Sequence, residues 1–269
     1  MDAIGVFDSG IGGLSVLRHI RACLPHERLL YFADSGFAPY GDKTEDVIVA
    51  RSLAIAAFLV QQRIKALVVA CNTATAAAIA ALRGRYPSLA VVGVEPGLKP
   101  AAASSANGIV GVLGTARTLT SVKYAALHAQ ISAATGVRFI AQPCVGLADQ
   151  IEKGELQSAA TALLVRRYVE PLLAQGADTL VLGCTHYAFV QPLIEEVACR
   201  SASRPVTIVD TGEPVARQLV RLLESRGLLG QGGEASVAAF TTGSEKSLAC
   251  AFSTLLKMQP AITQIAAQN

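Results

Sequence analysis

The chain has 269 residues, of which 52% are apolar, 16% charged and 5% aromatic. This composition is typical of a globular protein of enzyme size and excludes a disordered or fibrous chain. The formal net charge is +3, and the basic residues are scattered, so we expect neither a nucleic-acid nor a membrane partner. The length allows one large domain or two small ones, and we expect two.

The start of the chain has no cationic segment followed by a long apolar stretch, and no run approaches about 18 apolar residues. We therefore expect neither a signal peptide nor a transmembrane span. Six cysteines without a CxxC pair predict free thiols in a cytoplasmic protein. For Cys23, Cys144, Cys199 and Cys250 we favour the interpretation of buried packing residues.

Short runs rich in Val, Ile and Leu predict strands that are buried on both faces. In chain order they are residues 3–7, 29–33, 66–70, 90–94, 109–113, 137–141, 179–183 and 206–209. Helical periodicity predicts helices at residues 45–62, 74–83, 119–129, 155–173, 189–199 and 214–225, and the tail adds a weak strand at 235–241 and a helix at 244–256. Strands that alternate with helices predict an α/β fold with mostly parallel sheets.

The chain contains an internal repeat. A strand runs into Asp8 and another, 63 residues later, into Cys71; a later strand runs into Thr115 and another, 69 residues later, into Cys184. The repeat predicts two pseudosymmetric domains with polar clusters at the carboxyl ends of matching strands, where parallel sheets bind ligands. We expect the active site between the domains, which would comprise residues 1–97 with 210–269, and residues 98–209.

Cys71 and Cys184 are candidate bases or nucleophiles. Each follows a strand and precedes polar residues, in the motifs CNT and CTH. We expect each thiol at a helix N-terminus, where the macrodipole and backbone N–H groups favour the thiolate. A disulfide between the two is an alternative that a reducing compartment disfavours.

Asp8 and Ser9 follow the first strand, but the glycines after them lack the dinucleotide-binding spacing, and no Walker lysine follows. We expect both side chains to project into the cleft, where a carboxylate orients a substrate ammonium or keeps a basic group protonated. The alternative is that they only cap the following helix. The turn Pro39-Tyr40-Gly41 would offer backbone N–H groups and a phenol to an anionic ligand, although an ordinary turn is the alternative.

His186 lies two residues after Cys184, where a histidine acts as a proton donor or stabilises a thiolate. A single Cys-x-His pair lacks the spacing of a zinc site, so we expect no metal. Glu152 and Tyr187 are weaker candidates, because spacing alone does not separate them from surface or packing residues.

Taken together, these motifs resemble the cofactor-independent glutamate racemases. The similarity extends over IGVFDSGIGGLSVL, YFADSGFAPYGDK, ALVVACNTATAAAI, GVEPGLKPA, GLADQIEKGEL and TLVLGCTHYAFVQPLI, nearly the whole chain. It implies two α/β domains with glutamate between them, no cofactor, a supply of D-glutamate for peptidoglycan, and a cytoplasmic homodimer. It also implies Cys71 and Cys184 as the catalytic acid/bases, assisted by Asp8, His186 and Glu152. The substrate-binding residues that it implies are Asp8, Ser9, Pro39, Tyr40, Gly41, Asn72, Thr73, Thr115, Thr185 and His186.

Two positions depart from the family pattern. Val145 and Ala188 stand where the family commonly has proline, which removes rigidity rather than a chemical group. Two other functions stay open. One is an aspartate or hydantoin-type racemase with the same pair of cysteines. The other is a gyrase-binding inhibitor with secondary racemase activity, which the intact cysteine pair and the scattered basic residues disfavour.

Overall fold

The computed structural model describes residues 2–230 and 235–266. Its internal contacts divide the chain into two units. The first unit runs to Val94 and resumes at Gly212, and the second comprises Glu95–Thr211. The sequence-based boundaries lie nearby, after residue 97 and before residue 210.

The strands of the described residues are β1 Ala3–Asp8, β2 Leu29–Ala33, β3 Ile64–Val69, β4 Ala90–Gly93, β5 Ile109–Gly114, β6 Arg138–Pro143, β7 Thr179–Gly183, β8 Thr207–Val209, β9 Val237–Thr241 and β10 Ala261–Gln264. The α-helices are α1 Leu14–Cys23, α2 Glu45–Gln61, α3 Asn72–Arg85, α4 Leu98–Ser104, α5 Ala116–Leu119, α6 Val122–Thr135, α7 Leu147–Glu152, α8 Ala159–Ala174, α9 Gln191–Ser201, α10 Gly212–Ser225 and α11 Glu245–Ala251. Short 3₁₀ helices cover Tyr40–Asp42 and Thr185–Val190, and a π-helical turn covers Phe252–Leu256.

Each unit is built on one parallel sheet. The first sheet has the order β10-β9-β2-β1-β3-β4 and the second the order β6-β5-β7-β8. Every strand pair in both sheets is parallel. The order β2-β1-β3-β4 therefore repeats as β6-β5-β7-β8, and the predicted α/β class with two parallel sheets is confirmed.

Helices cover the sheets because the apolar runs of parallel strands need partners on both faces. In the first unit, α2 and α3 pack on a core that includes Phe7, Leu67 and Val69. The amphipathic helix α10 buries one apolar stripe and packs against α1. In the second unit, one core lies among α7, α8 and α9 and another beneath α4 and α6.

Several predicted elements differ in detail. The helix predicted at 119–129 is two helices, because the hydroxyl of Ser121 accepts a hydrogen bond from Tyr124 N and starts α6 anew. The helix predicted at 189–199 begins as a 3₁₀ helix, and α9 starts only at Gln191. In the tail, α11 gives way to the π-helical turn after Ala251, and β10 follows as a strand that the sequence did not predict.

All six cysteines are free thiols. Cys144 is buried, as expected, but Cys23, Cys199 and Cys250 are exposed, so the packing interpretation is wrong for these three. Each lies on a helix outside its buried stripe, and helical periodicity rather than residue type decides its exposure. Among the described residues, no helix combines the length and apolarity that a membrane crossing requires.

Candidate active site

The first cluster begins where β1 ends, at Asp8. Its carboxylate Oδ2 accepts hydrogen bonds from the backbone N–H groups of Gly10, at 3.2 Å, and Gly13, at 2.9 Å. A Cβ on Gly13 would lie 2.7 Å from the Cβ of Asp8, so the close approach of the loop requires glycine. Gly13 is the N-cap residue of α1, so Asp8 binds the start of this helix, and its part in orienting a substrate ammonium stays a prediction.

Cys71 lies just beyond β3 in the same unit and is itself the N-cap of α3. Its sulfur accepts a hydrogen bond from Ala74 N at 3.4 Å, and its thiol donates to Ser9 Oγ at 3.7 Å. The structure thus places the thiol at the helix N-terminus as predicted, with the sulfur in the capping role. This position favours the thiolate because a backbone N–H points at the sulfur.

Asn72 and Thr73 begin α3 and are buried beside Cys71. Neither polar side-chain atom of Asn72, Nδ2 or Oδ1, has a hydrogen-bond partner within residues 2–230 and 235–266. A buried amide without a partner is unfavourable by about 1–3 kcal/mol. The side chain of Asn72 is therefore suited to a polar ligand that supplies both a donor and an acceptor.

The predicted turn Pro39–Gly41 leads into the 3₁₀ helix Tyr40–Asp42. The phenol of Tyr40 donates to Asp34 Oδ2 at 2.6 Å. Burial, together with the charge of Asp34 and the hydrogen bond to it, raises the pKa of Tyr40 far above its usual value. The proton of this phenol is thus donated to Asp34 in the structure. Contact of the phenol and of the turn's backbone with an anionic ligand stays a prediction.

The second cluster begins beyond β7, where Cys184 precedes the 3₁₀ helix Thr185–Val190. The thiol makes no side-chain cap, and the nearest α-helix begins only at Gln191. Cys184 is thus the N-cap residue of a helix, as expected, but this helix is a 3₁₀ helix and the sulfur accepts no capping hydrogen bond from it. The polar neighbour of its sulfur is instead His186, whose Nδ1 lies 3.6 Å away.

Glu152 completes this cluster from the end of α7. Its Oε1 lies 2.7 Å from Nε2 of His186, so the imidazole bridges Glu152 and Cys184. Burial alone would lower the pKa of His186, but its hydrogen bonds with Cys184 and Glu152 raise it well above the usual value. The imidazolium of His186 is therefore held between the sulfur of Cys184 and the carboxylate of Glu152. Cys184, His186 and Glu152 thus form one hydrogen-bonded cluster, and its role as an acid/base unit stays a prediction.

Four other residues that the sequence singled out lie in the second unit, and the substrate-binding roles of Thr115 and Thr185 stay predictions. Thr115 is half-buried and caps α5 through its Oγ1, which accepts from Thr118 N at 3.2 Å. Thr185 is buried at the start of its 3₁₀ helix. Burial raises the pKa of the Cys144 thiol to about 12, so it stays protonated. Tyr187 is wholly buried and donates to Cys144 O at 3.4 Å, which is a packing role.

The sequence did not single out the pair Asp34 and Arg51, which contacts the predicted binding turn. Arg51 Nη2 lies 2.8 Å from Asp34 Oδ1, and both side chains are buried. The sequence does contain a pattern that indicates Asp34, because the tripeptide Asp-Ser-Gly at the end of β1 recurs after β2 as residues 34–36. Arg51 carries no such signal, since a lone arginine in a helix is usually a surface cation.

The family described as Asp/Glu/Hydantoin racemase matches residues 4–219. The glutamate racemase of Ectopseudomonas mendocina (strain ymp) is 57% identical over 226 residues, which cover 84% of each chain. The chain belongs to the glutamate racemases of this family. It is accordingly an amino-acid racemase.

Solved structures of glutamate racemases resemble this chain over nearly its whole length. An isoform from Bacillus anthracis superposes with a TM-score of 0.87 at 32% identity, covering 98% of this chain and 97% of that one. The Escherichia coli glutamate racemase, in complex with L-glutamate and the activator UDP-MurNAc-ala, gives a TM-score of 0.83 at 31% identity and full coverage of both chains. Both comparisons extend over the two sheets and the segments that carry the clusters.

Proposed function

We propose that this protein racemises glutamate without a cofactor, with Cys71 and Cys184 as its two acid/bases. The observation that carries the proposal is the repeated placement of the thiols. Each lies just beyond the matching strand, β3 or β7, of two sheets that share one strand order. Racemisation removes the α-proton from one face of the carbon and returns a proton to the other, so it requires two such groups.

One thiol starts as the thiolate and the other as the neutral thiol. Cys71 has a helix N–H and the Ser9 hydroxyl as neighbours, and Cys184 has the imidazolium of His186. In the proposed reaction, Cys71 takes the proton from D-glutamate and Cys184 from L-glutamate. Because the substrate and product are mirror images, a pair of acid/bases of the same type suits both directions.

Without an electron-sink cofactor, the carbanion must be stabilised by polar groups around the substrate carboxylate. The buried amide of Asn72 supports this role, because its polar atoms lack partners in the described part of the chain. In the proposal, Ser9, Thr73, Thr115, Thr185 and the turn Pro39–Gly41 also contact the substrate. Asp8, held rigidly by two backbone N–H groups, orients the substrate ammonium.

The kinship with glutamate racemases supports glutamate as the substrate, and the E. coli relative was solved with L-glutamate bound. The proposal extends to a supply of D-glutamate for peptidoglycan in the cytoplasm and to a homodimer. Glutamate and aspartate differ by one methylene, which a binding site discriminates by only about 1–3 kcal/mol. The substrate therefore has to be tested against aspartate directly.

The test follows the loss of optical activity of pure L-glutamate by circular dichroism, with enzyme dialysed against a chelator. We expect the signal to decay to zero without pyridoxal phosphate or metal, and L-aspartate to react at least about tenfold more slowly. Cys71→Ser and Cys184→Ser should abolish the decay, whereas Cys144→Ala, which removes a buried thiol outside the proposed pair, should retain it. A cofactor requirement, or faster turnover of aspartate, would overturn the proposal.

A further inference from the structure

Asp34 lies directly after β2 and joins three other parts of the first unit. Its Oδ2 accepts hydrogen bonds from the phenol of Tyr40, at 2.6 Å, and from Nε of Arg51, at 3.1 Å. Its Oδ1 accepts from Nη2 of Arg51, at 2.8 Å, and from Oγ1 of Thr242, at 2.8 Å. The carboxylate is completely buried, so these contacts replace its hydration.

Arg51 supplies the charge that this carboxylate needs. The guanidinium projects from α2 and engages both oxygens of Asp34, a bidentate geometry that fixes the plane of the carboxylate. Its other surface lies over the ring of Phe37, with the guanidinium carbon 3.7 Å from the ring centroid. Arg51 is therefore held on two sides, and the orientation of the carboxylate follows from its position.

We propose that Arg51 is a positioning residue for substrate binding: through Asp34 it fixes the phenol of Tyr40 and, with it, the turn Pro39–Gly41. This inference rests on the proposed function, since the turn contacts substrate only there. The phenol has one proton, and Asp34 Oδ2 accepts it. The position of that oxygen, which Arg51 fixes, consequently sets the position of the ring and of the backbone that carries it.

The chain contains a matched ion pair without this link. Lys65 Nζ lies 2.7 Å from Glu27 Oε2 in the same unit, and their side chains are 10% and 6% exposed, against 11% and 0% for Arg51 and Asp34. The carboxylate of Glu27 also accepts a hydrogen bond from the backbone N–H of Gly230. Loss of Lys65 should therefore weaken the fold much as loss of Arg51 does, without displacing the turn.

The test compares Arg51→Lys, Tyr40→Phe, the double variant and the control Lys65→Met. Arg51→Lys keeps the charge, and hence the fold, but loses the planar fork. Because both variants release the turn from its fixed position, we expect each to raise KM about tenfold, which corresponds to about 1.4 kcal/mol of lost binding free energy. We expect kcat to change less than about threefold, since the turn contributes to binding in both states. Lys65→Met should leave KM unchanged.

The double variant decides the route. If Arg51 acts through Asp34 on the phenol, Tyr40→Phe already removes the hydroxyl on which it acts. Adding Arg51→Lys to that variant should then raise KM little further. Two independent effects would instead multiply to about a hundredfold, and that result would overturn the inference. An unchanged KM in Arg51→Lys, or a comparable rise in Lys65→Met, would overturn it as well.

A binding measurement separates this inference from the reaction itself. The rise in unfolding temperature that glutamate produces reports binding without catalysis. If glutamate stabilises the wild-type protein but is not racemised by it, the proposed reaction is refuted. Weaker stabilisation by glutamate in Arg51→Lys than in Lys65→Met would still support the positioning role in that case. Equal stabilisation of all the variants, or none in the wild type, would refute the positioning role.

Discussion

Replacing Glu152 by Gln tests the acid/base unit of the second cluster. The substitution keeps the shape of the side chain and a hydrogen bond to Nε2 of His186, now 2.7 Å from Glu152 Oε1, but removes the negative charge. That charge favours the imidazolium. We therefore expect the pKa of His186 to fall towards its usual range, so that the imidazolium is lost at a lower pH.

The size of the shift follows from the contact. A hydrogen bond to a charged group contributes about 1.5–3 kcal/mol, against about 0.5–1.5 kcal/mol for a neutral one. The difference of about 1–1.5 kcal/mol corresponds to about one pKa unit. Glu152 has a 23% exposed side chain, so screening by solvent keeps the shift near this value rather than above it.

The assay is the pH dependence of kcat/KM, which reports groups of the free enzyme. If His186 must be protonated to support the thiolate of Cys184, Glu152→Gln should move the basic limb of the profile about one unit down. Glu155→Gln removes the same charge from an exposed side chain three residues away and should leave the profile unchanged. An identical basic limb in Glu152→Gln and wild type would refute the role assigned to this contact.

Three further outcomes are expected. Glutamate should slow iodoacetamide labelling of Cys71 and Cys184, read by peptide mapping, and leave the exposed thiols unaffected; equal labelling of the pair with and without glutamate would contradict the site. Gly13→Ala should lower the unfolding free energy by about 1–3 kcal/mol, whereas Gly84→Ala, on the open face of α3, should raise it by about 0.5–1 kcal/mol in urea unfolding. Cys71→Ser should catalyse elimination only from an L-configured analogue with a β-leaving group, and Cys184→Ser only from the D-configured one; processing of both by either variant would mean a single base.

The sheets were predictable because buried parallel strands are continuous apolar runs. Strands β1, β2 and β7 are buried at every position, and each contains an apolar run in the sequence, interrupted only by Asp8 at the end of β1 and Thr179 at the start of β7. Strand β10 has no such signal, since Ala261–Gln264 is short and mostly exposed. The break between α5 and α6 was equally hidden, because a capping serine within a periodic stretch looks like an ordinary helical residue.

Some residues of the candidate site were likewise predictable from the sequence, and others were not. The strand ends identified Cys71 and Cys184, and His186 stood two residues away from the second thiol. Glu152 is 34 positions from His186, and no local pattern could pair them. The residues alone made Glu152 only a weaker candidate, and the resemblance supplied its role. Neither pattern nor resemblance indicated the Arg51–Asp34 contact, because a buried ion pair depends on how a helix and a strand end meet.

The two thiols occupy matching positions but have different support, and thermodynamics limits how this difference can appear. L- and D-glutamate have equal free energies, so kcat/KM must be the same in both directions for the wild type and for every variant. Cys71 is supported by a helix N-terminus and Cys184 by an imidazolium. This difference can make kcat for L-glutamate differ from kcat for D-glutamate, but the two KM values must then differ by the same factor. Glu152→Gln alters the surroundings of Cys184 alone. It should therefore change the ratio of the two kcat values and the ratio of the two KM values by the same factor, while the two values of kcat/KM remain equal.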